Sequence, residues 1–307
     1  MAFAERFSFQ LKDRNDIREP FRTALKRLLP ADAQPVLMIF TPSIPTSEGS
    51  TMPSLLVVER DRWHLVIEAE DGATTSVTSS TLARTVLVEM TVVLLLGRLK
   101  FDFATKRDVR SVVIEFNTVM EHLYHEAAEY ILGIMKGLPS LQTAPVNREV
   151  DLELLHSVPL KFRNSILRFA PATERILNLA YWPSIVVERG GLIEKELSPE
   201  SALVLSEREL LLISEEKLLP ADRPEHRFSI GLINKHGSIA MRCPLCRLSE
   251  FRFGGIGESV TLDLLFQVDA VIEILNLVLP ANQKPAVLDL LRQAIRLKRE
   301  PGKTGAV

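Results

Sequence analysis

FRTALKRLLPADAQPVLMIFTPSI, at residues 21–44, decides the fold because it returns as FRNSILRFAPATERILNLAYWPSI at residues 162–185. The two stretches are displaced by 141 residues and share eight of 24 positions, whereas residue frequencies alone would give roughly one or two. Further along, residues 54–68 match residues 201–215 with a displacement of 147, which indicates six residues inserted in the loop between. The repetition predicts two copies of one domain.

Composition limits the class of protein. A chain of 307 residues is long enough for two domains with a core each. The net charge of −2 gives no general attraction to nucleic acid, so no nucleic-acid partner is expected. Two cysteines favour a reducing compartment, and the longest apolar run, residues 86–96, is shorter than the roughly 20 residues of a membrane span. We expect a cytoplasmic protein.

Hydrophobic periodicity predicts the same order of elements in each copy. The first copy has an amphipathic helix at 16–29, seven strand-like runs, and a closing helix that ends at Gly137. The second copy begins with a helix at 159–170, has a predicted strand at 228–233, and closes with a helix at 285–297. A turn is predicted at Gly97 and Arg98. The residues predicted to face inward on the last helix are Val287, Leu290, Leu291 and Ala294. The predicted organisation is a domain at 16–137, a linker at 138–158, a domain at 159–299 and a tail at 300–307.

Three motifs carry a family resemblance: PADxxPVLM at 30–38, SLLVVxxDRWxL at 54–65 and SALVLSERELLLI at 201–213. Together with the element order, they resemble the pleckstrin-homology-like (PH-like) fold in the form seen in bacterial tandem PH-like proteins. The resemblance implies an α+β, mostly β fold. Its parts would be two tandem seven-stranded split barrels, each preceded by a short amphipathic helix and closed by a C-terminal helix.

The resemblance also implies a binding module rather than an enzyme. Eukaryotic PH domains that bind phosphoinositides carry clustered Lys and Arg in the loop between their first two strands. The corresponding loops here, at 41–53 and 183–199, contain no such cluster. The resemblance therefore does not imply inositol phosphate as the ligand.

Two groups of residues are candidates for binding. The densest basic stretch lies on a predicted strand–turn–strand at 98–110; it is either a solubilising edge of mixed charge or a patch for anionic lipid or an acidic partner. Tyr181 and Trp182 are either core residues or an exposed partner-binding edge. The basic candidates are Arg98, Lys100, Lys106, Arg107 and Arg110.

No metal, cofactor or catalytic residue is predicted. The pair Cys243 and Cys246 lacks a second pair for zinc, and EHLYHE at 121–126 lacks a third ligand. GGIG at 254–257 lacks the Lys and Ser/Thr of a phosphate-binding loop. No Ser or Cys lies in a recognisable nucleophile elbow or triad motif.

The predicted function is non-enzymatic binding, as an adaptor or scaffold for an unknown protein partner. Two alternatives stay open. The first is a peripheral membrane protein that binds anionic lipid through the basic turn at 98–110. The second is an enzyme with a site between the two domains.

Overall fold

The structure is a computed structural model that describes residues 7–30, 32–46, 49–138, 151–189, 193–216, 237–255 and 258–299. The chain divides into two compact units: unit 1 comprises Met1–Val88 and Leu94–Leu141, and unit 2 comprises Glu89–Val93 and Gln142–Val307. A predicted strand at 228–233, the tail at 300–307 and most of the predicted linker lie outside the described residues.

Strands outnumber helices, so the α+β, mostly β class predicted from the sequence is confirmed. The first half of the chain also has 3₁₀ turns at Leu82–Arg84 and Thr118–Met120. Its strands and helices are β1 (Phe9–Gln10), α1 (Phe21–Leu28), β2 (Leu37–Thr41), β3 (Pro45–Thr46), β4 (Gly49–Ser50), β5 (Ser54–Val58), β6 (Arg62–Glu68), β7 (Thr75–Thr81), β8 (Thr85–Val93), β9 (Leu96–Ala104), β10 (Val109–Asn117) and α2 (Glu121–Met135).

The second half repeats this order, with one short extra helix inside the predicted linker. Its elements are α3 (Asp151–Leu155), α4 (Leu160–Phe169), β11 (Ile176–Trp182), β12 (Ile185–Arg189), β13 (Ile193–Ser198), β14 (Ser201–Ser206), β15 (Glu209–Glu216), β16 (Gly237–Pro244), β17 (Leu248–Phe253), β18 (Ser259–Val268), β19 (Val271–Pro280) and α5 (Lys284–Arg299).

Unit 1 is built on the antiparallel meander β2–β5–β6–β7, with β1 added beside β2. The small β3–β4 hairpin occupies the connection between β2 and β5. Helix α1 covers one face of this sheet, where Phe21 and Leu25 pack with Phe40, Leu55 and Val66. Strand β8 then leads into the β9–β10 hairpin and helix α2.

Unit 2 has the corresponding meander, β11–β14–β15–β16. The β12–β13 hairpin occupies the same connection as β3–β4, in a segment expected to be a loop. A second meander, β17–β18–β19, precedes helix α5. The residues expected to face inward on α5 are buried, which confirms that part of the pattern: Val287, Leu290, Leu291 and Ala294.

The strand registers of the two units correspond pair by pair. Thr41 pairs with Ser54 in unit 1, and Trp182 pairs with Ser201 in unit 2, at the displacements of 141 and 147 seen in the sequence. The β9–β10 and β18–β19 hairpins correspond at a displacement of 163, and so do the first residues of α2 and α5. The sequence alone gives little sign of the correspondence at 163, because few of the residues paired in this way are identical.

One predicted turn lies elsewhere. Gly97 and Arg98 were expected to form the turn between two strands, but the chain turns at Leu94 and Leu95, and Leu94 has φ = 52°. Gly97 lies inside β9 and is buried. A Cβ atom at this position would overlap the ring of Phe116, so packing rather than turn geometry requires glycine here.

Candidate functional site

A cavity of about 550 Å³ in unit 1 gathers polar side chains that are distant in the sequence. It lies between the end of β7, the 3₁₀ turn Leu82–Arg84, and the turn that joins β9 to β10. Its lining residues are Arg62, Ser79, Ser80, Thr81, Arg84, Phe103, Ala104, Thr105 and Lys106.

Buried aromatic packing fixes the apolar part of the lining. Trp63 is fully buried, and its ring stacks on Phe101 and meets Phe103 edge to face, with centroids 5.6 and 5.2 Å away. The Trp63 indole N–H donates to Thr85 Oγ1 at 3.3 Å. These contacts hold the end of β9, and with it the following turn, against the β6 strand.

Each polar rim segment is also held in place. Leu82 is fully buried and its backbone N–H donates to the Asp61 carbonyl at 2.8 Å, which anchors the 3₁₀ turn that bears Arg84. In the β9–β10 turn, Thr105 Oγ1 accepts from the backbone N–H of Arg107 and of Asp108 at 3.2 and 3.1 Å. The Thr105 hydroxyl also donates to the Asp108 carboxylate, and this bond holds the pKa of Asp108 below its usual value.

The cavity is cationic. Arg62, Arg84 and Lys106 line it together with four hydroxyl groups, and no carboxylate is among the lining residues. Arg62 lies 3.5 Å from Asp61, but both side chains are about half exposed or more, so water screens this pair. Among the described residues Lys106 forms no ion pair. Such a set of cationic side chains around an apolar floor suits an anionic group.

A second polar cluster meets the same cavity at Ser79. His64 and Ser79 are direct cross-strand partners on β6 and β7, and His64 Nδ1 lies 2.7 Å from Ser79 Oγ. His64 Nε2 lies 2.8 Å from Glu59 Oε1. The His64 ring is 4% exposed, whereas Ser79 is exposed at the cavity.

Unit 2 has different chemistry at the corresponding positions. Arg62 corresponds to Glu209 and Ser79 to Arg242, by the displacements of 147 and 163. Arg242 donates through two nitrogens to the Glu209 carboxylate at 2.8 and 3.2 Å, and these side chains are 4% and 0% exposed. A buried ion pair therefore occupies in unit 2 the positions that line the open cavity in unit 1.

The structure brings only one of the five predicted basic residues to this cavity. Lys106 lines it, and Arg107 is exposed on the same turn. Lys100 and Arg110 have acidic neighbours, Asp102 at 3.0 Å and Asp108 at 3.6 Å. Arg98 lies on β9 with its Nε buried.

The two aromatic candidates lie at the end of β11. Trp182 is 1% exposed, which matches the alternative of a core residue. Tyr181 is half-buried, packs edge to face on Phe162, and donates its hydroxyl to Glu200. Burial and the Glu200 carboxylate raise the pKa of Tyr181. A partner-binding role for these residues stays a prediction.

Most of the site was missed in the sequence because no local motif marks it. Arg62, Arg84 and Ser79 lie on three separate elements and meet only through the pairing of β6 with β7 and the turn that follows. The one available signal is the hydroxyl-rich run TTSVTSST at 74–81, which ends three residues before Arg84.

In comparison with known proteins, no family model matches the chain and no curated sequence matches it. Within the described ranges, no helix has the length and apolar character needed to cross a membrane. In the same part of the chain, no three His, Cys, Asp or Glu side chains are grouped to hold a metal ion.

Proposed function

We propose that the chain is a binding protein whose cavity in unit 1 takes a phosphate-bearing anionic ligand. The observation that carries the proposal is the cavity itself, where three cationic side chains and four hydroxyls converge without a carboxylate. Arginine and lysine bind phosphate through charge-assisted hydrogen bonds. The Thr81 hydroxyl can add a donor, whereas the Ser80 and Thr105 hydroxyls already donate to the Thr81 carbonyl and the Asp108 carboxylate. The ligand is either a free phosphate compound or a lipid headgroup, which share this chemistry.

We also propose that the two units are PH-like domains that arose by duplication. In each unit a helix precedes a four-stranded meander with a small hairpin after its first strand, then three further strands and a closing helix. The strand registers of the two units match, because residues that pair in unit 1 correspond to residues that pair in unit 2. This match supports a common origin. In this proposal unit 1 keeps the open ligand site.

The adjacent cations Lys106 and Arg107 provide a matched test. Both are exposed on the same turn, but only Lys106 lines the cavity. We expect Lys106→Gln to weaken inorganic phosphate binding about tenfold, because it removes one charge-assisted hydrogen bond. Arg107→Gln should change binding by no more than about twofold, since an exposed charge that does not line the cavity is partly screened by solvent and salt.

Isothermal titration calorimetry of the full chain with inorganic phosphate measures both variants. Equal losses for the two variants would contradict a defined site and indicate a diffuse basic surface. Sedimentation with vesicles of neutral lipid, with and without added phosphatidylinositol phosphate, then separates a lipid headgroup from a free compound.

The second candidate function is that of an adaptor for a protein partner. An exposed apolar tip in unit 1 favours it: Leu94, Leu95 and Val119 are 73%, 69% and 59% exposed. Thr118 fixes the tip by donating to the carbonyls of Leu94 and Leu95, both at 3.0 Å. Exposed groups of aliphatic side chains are typical of interaction sites.

The tip lies at the opposite end of β9 from Lys106, so the two functions can be tested separately. We expect Leu95→Ser to abolish co-purification of a partner and to leave phosphate binding unchanged. Lys106→Gln should have the reverse effects. Retention of every partner by Leu95→Ser would contradict this second candidate.

A further inference from the structure

Glu59, His64 and Ser79 form one hydrogen-bonded chain that ends at the cationic cavity. Two features position these three side chains. The β6–β7 register places His64 opposite Ser79, and a turn in which the Glu59 backbone N–H donates to the Arg62 carbonyl at 2.8 Å holds Glu59. The corresponding residues of unit 2 are Ser206, Leu211 and Arg242, so unit 2 has no such chain at this position.

The Glu59 carboxylate determines which nitrogen of a neutral His64 ring carries the proton. An ionised carboxylate only accepts hydrogen bonds, so a neutral His64 carries its proton on Nε2, toward Glu59. The Nδ1 atom then has its lone pair directed at Ser79, and the Ser79 hydroxyl donates to it. This is the arrangement in which an imidazole can take the proton of a nucleophilic serine.

His64 and Glu59 lie inside the protein, whereas Ser79 is accessible from the cavity, as a nucleophile must be. The His64 ring is almost fully buried and the Glu59 side chain is 21% exposed, so both are held in place by the residues around them. Ser79 is exposed and lines the cavity, where a substrate would lie. The cations of the cavity can hold an anionic group on that substrate and stabilise negative charge that develops beside Ser79.

We propose that Ser79 is a nucleophile that hydrolyses carboxylic esters bearing an anionic group, with His64 as general base and Glu59 as the residue that positions His64. This inference rests on the proposed anion-binding function, because the cavity selects the substrate.

In the first step Ser79 Oγ bonds to the ester carbonyl carbon while its proton moves to His64 Nδ1, and the carbonyl electron pair moves to oxygen. Collapse of this intermediate breaks the bond to the alkoxide, which leaves with the proton from His64. Water then repeats the sequence on the acyl-serine: His64 takes a proton from water, the acid departs, and the proton returns to Ser79. No further reactant is needed.

Labelling by a fluorophosphonate probe tests the nucleophile directly. We expect one adduct on Ser79, located by peptide mass spectrometry, and its absence in Ser79→Ala. Ser80→Ala is the matched control: Ser80 lines the same cavity, but its hydroxyl donates to the Thr81 carbonyl at 3.3 Å. That variant should keep its labelling.

The general base is tested by the rate of labelling. His64→Gln should lower it about 100-fold or more, the usual contribution of a general base. Because His64 is buried, its replacement also affects packing, so a second variant is needed. Glu59→Gln, which keeps the shape of the side chain, should lower the rate about tenfold or more with unchanged circular dichroism. Absence of labelling on Ser79, or a rate that neither variant changes, would overturn the proposal.

Hydrolysis of the mono-p-nitrophenyl ester of succinic acid tests the substrate class. Because the free carboxylate of this ester also drives its spontaneous hydrolysis, the rate compared is the part that is lost in Ser79→Ala. This part should be faster than for p-nitrophenyl acetate, and Lys106→Gln should remove the preference. If inorganic phosphate binds but Ser79 is not labelled, the nucleophile is wrong and the anion site stands. If Ser79 is labelled but phosphate neither binds nor slows the labelling, the proposed binding function is wrong instead.

Discussion

Tyr124 on α2 forms a buried hydroxyl cluster with two distant residues. Its hydroxyl donates to Ser8 Oγ at 2.7 Å and lies 2.6 Å from Thr41 Oγ1. The three residues are at most 1% exposed, and the Tyr124 ring stacks on Phe116. This cluster ties the closing helix to the first strands of unit 1.

Burial raises the pKa of Tyr124 to about 12, against an ordinary value of 10.0. Between pH 10 and pH 12 the unfolded chain loses this proton and the folded protein keeps it. The contribution of Tyr124 to the free energy of unfolding is therefore complete below pH 10 and is lost as the pH rises toward 12. Tyr124→Phe should lower the free energy of unfolding by about 1–3 kcal/mol at pH 8, because Ser8 and Thr41 lose a partner.

Urea unfolding at pH 8 and pH 11 measures this effect. The difference between wild type and Tyr124→Phe should narrow at pH 11, since only the wild type has this ionisation to lose. Tyr130→Phe, a half-buried tyrosine on the same helix, is the control and should show little change. A difference that is constant from pH 8 to pH 11 would contradict the assignment.

At the scale of elements, the sequence predicted the order of helices and strands well because side-chain periodicity records which face is buried. The α5 stripe at Val287, Leu290, Leu291 and Ala294 is an example. The segments at 41–53 and 183–199 were expected to be loops, yet each contains a hairpin. Their Gly and Pro residues are typical of loops and do not reveal that the strands of each hairpin pair.

Gly97 shows a different limit. Gly97 follows an apolar strand-like run and precedes a charged residue, and glycine at the end of such a run is typical of a turn. The actual reason is the ring of Phe116, which lies nineteen residues later in the sequence and directly opposite on β10. Local sequence does not contain this packing constraint.

The candidate site could not be predicted for the same reason. Ser79 is one of several hydroxyl residues on β7, and only the β6–β7 register shows that it faces His64. Lys106 was singled out by charge density, whereas Arg62 lies in the short mixed-charge turn ERDR at 59–62 and Arg84 follows two apolar residues. A site made by strand pairing becomes visible only when the register is known.

At the scale of the whole chain, the two units share one pattern of strand pairing but differ in charge where the cavity lies. Unit 1 has cations and hydroxyls open to solvent, and unit 2 has the buried pair of Arg242 and Glu209. An ion pair of this kind is costly to break, because removing one charge leaves the other buried and uncompensated. In our proposal this position binds an anion in unit 1, whereas in unit 2 it holds a buried ion pair.

This division predicts that Glu209→Gln destabilises the protein without affecting the ligand site. We expect a loss of about 3–5 kcal/mol in the free energy of unfolding, since Arg242 stays buried without its carboxylate. The matched control is Glu250→Gln, which breaks the ion pair with Arg252, where the side chains are 53% and 61% exposed. It should lower the free energy of unfolding far less, because solvent screens this exposed pair. Urea unfolding measures the stability of both variants. Calorimetry with inorganic phosphate at low temperature should give unchanged affinity. Equal stability of the two variants, or loss of phosphate binding in folded Glu209→Gln, would contradict this division between the units.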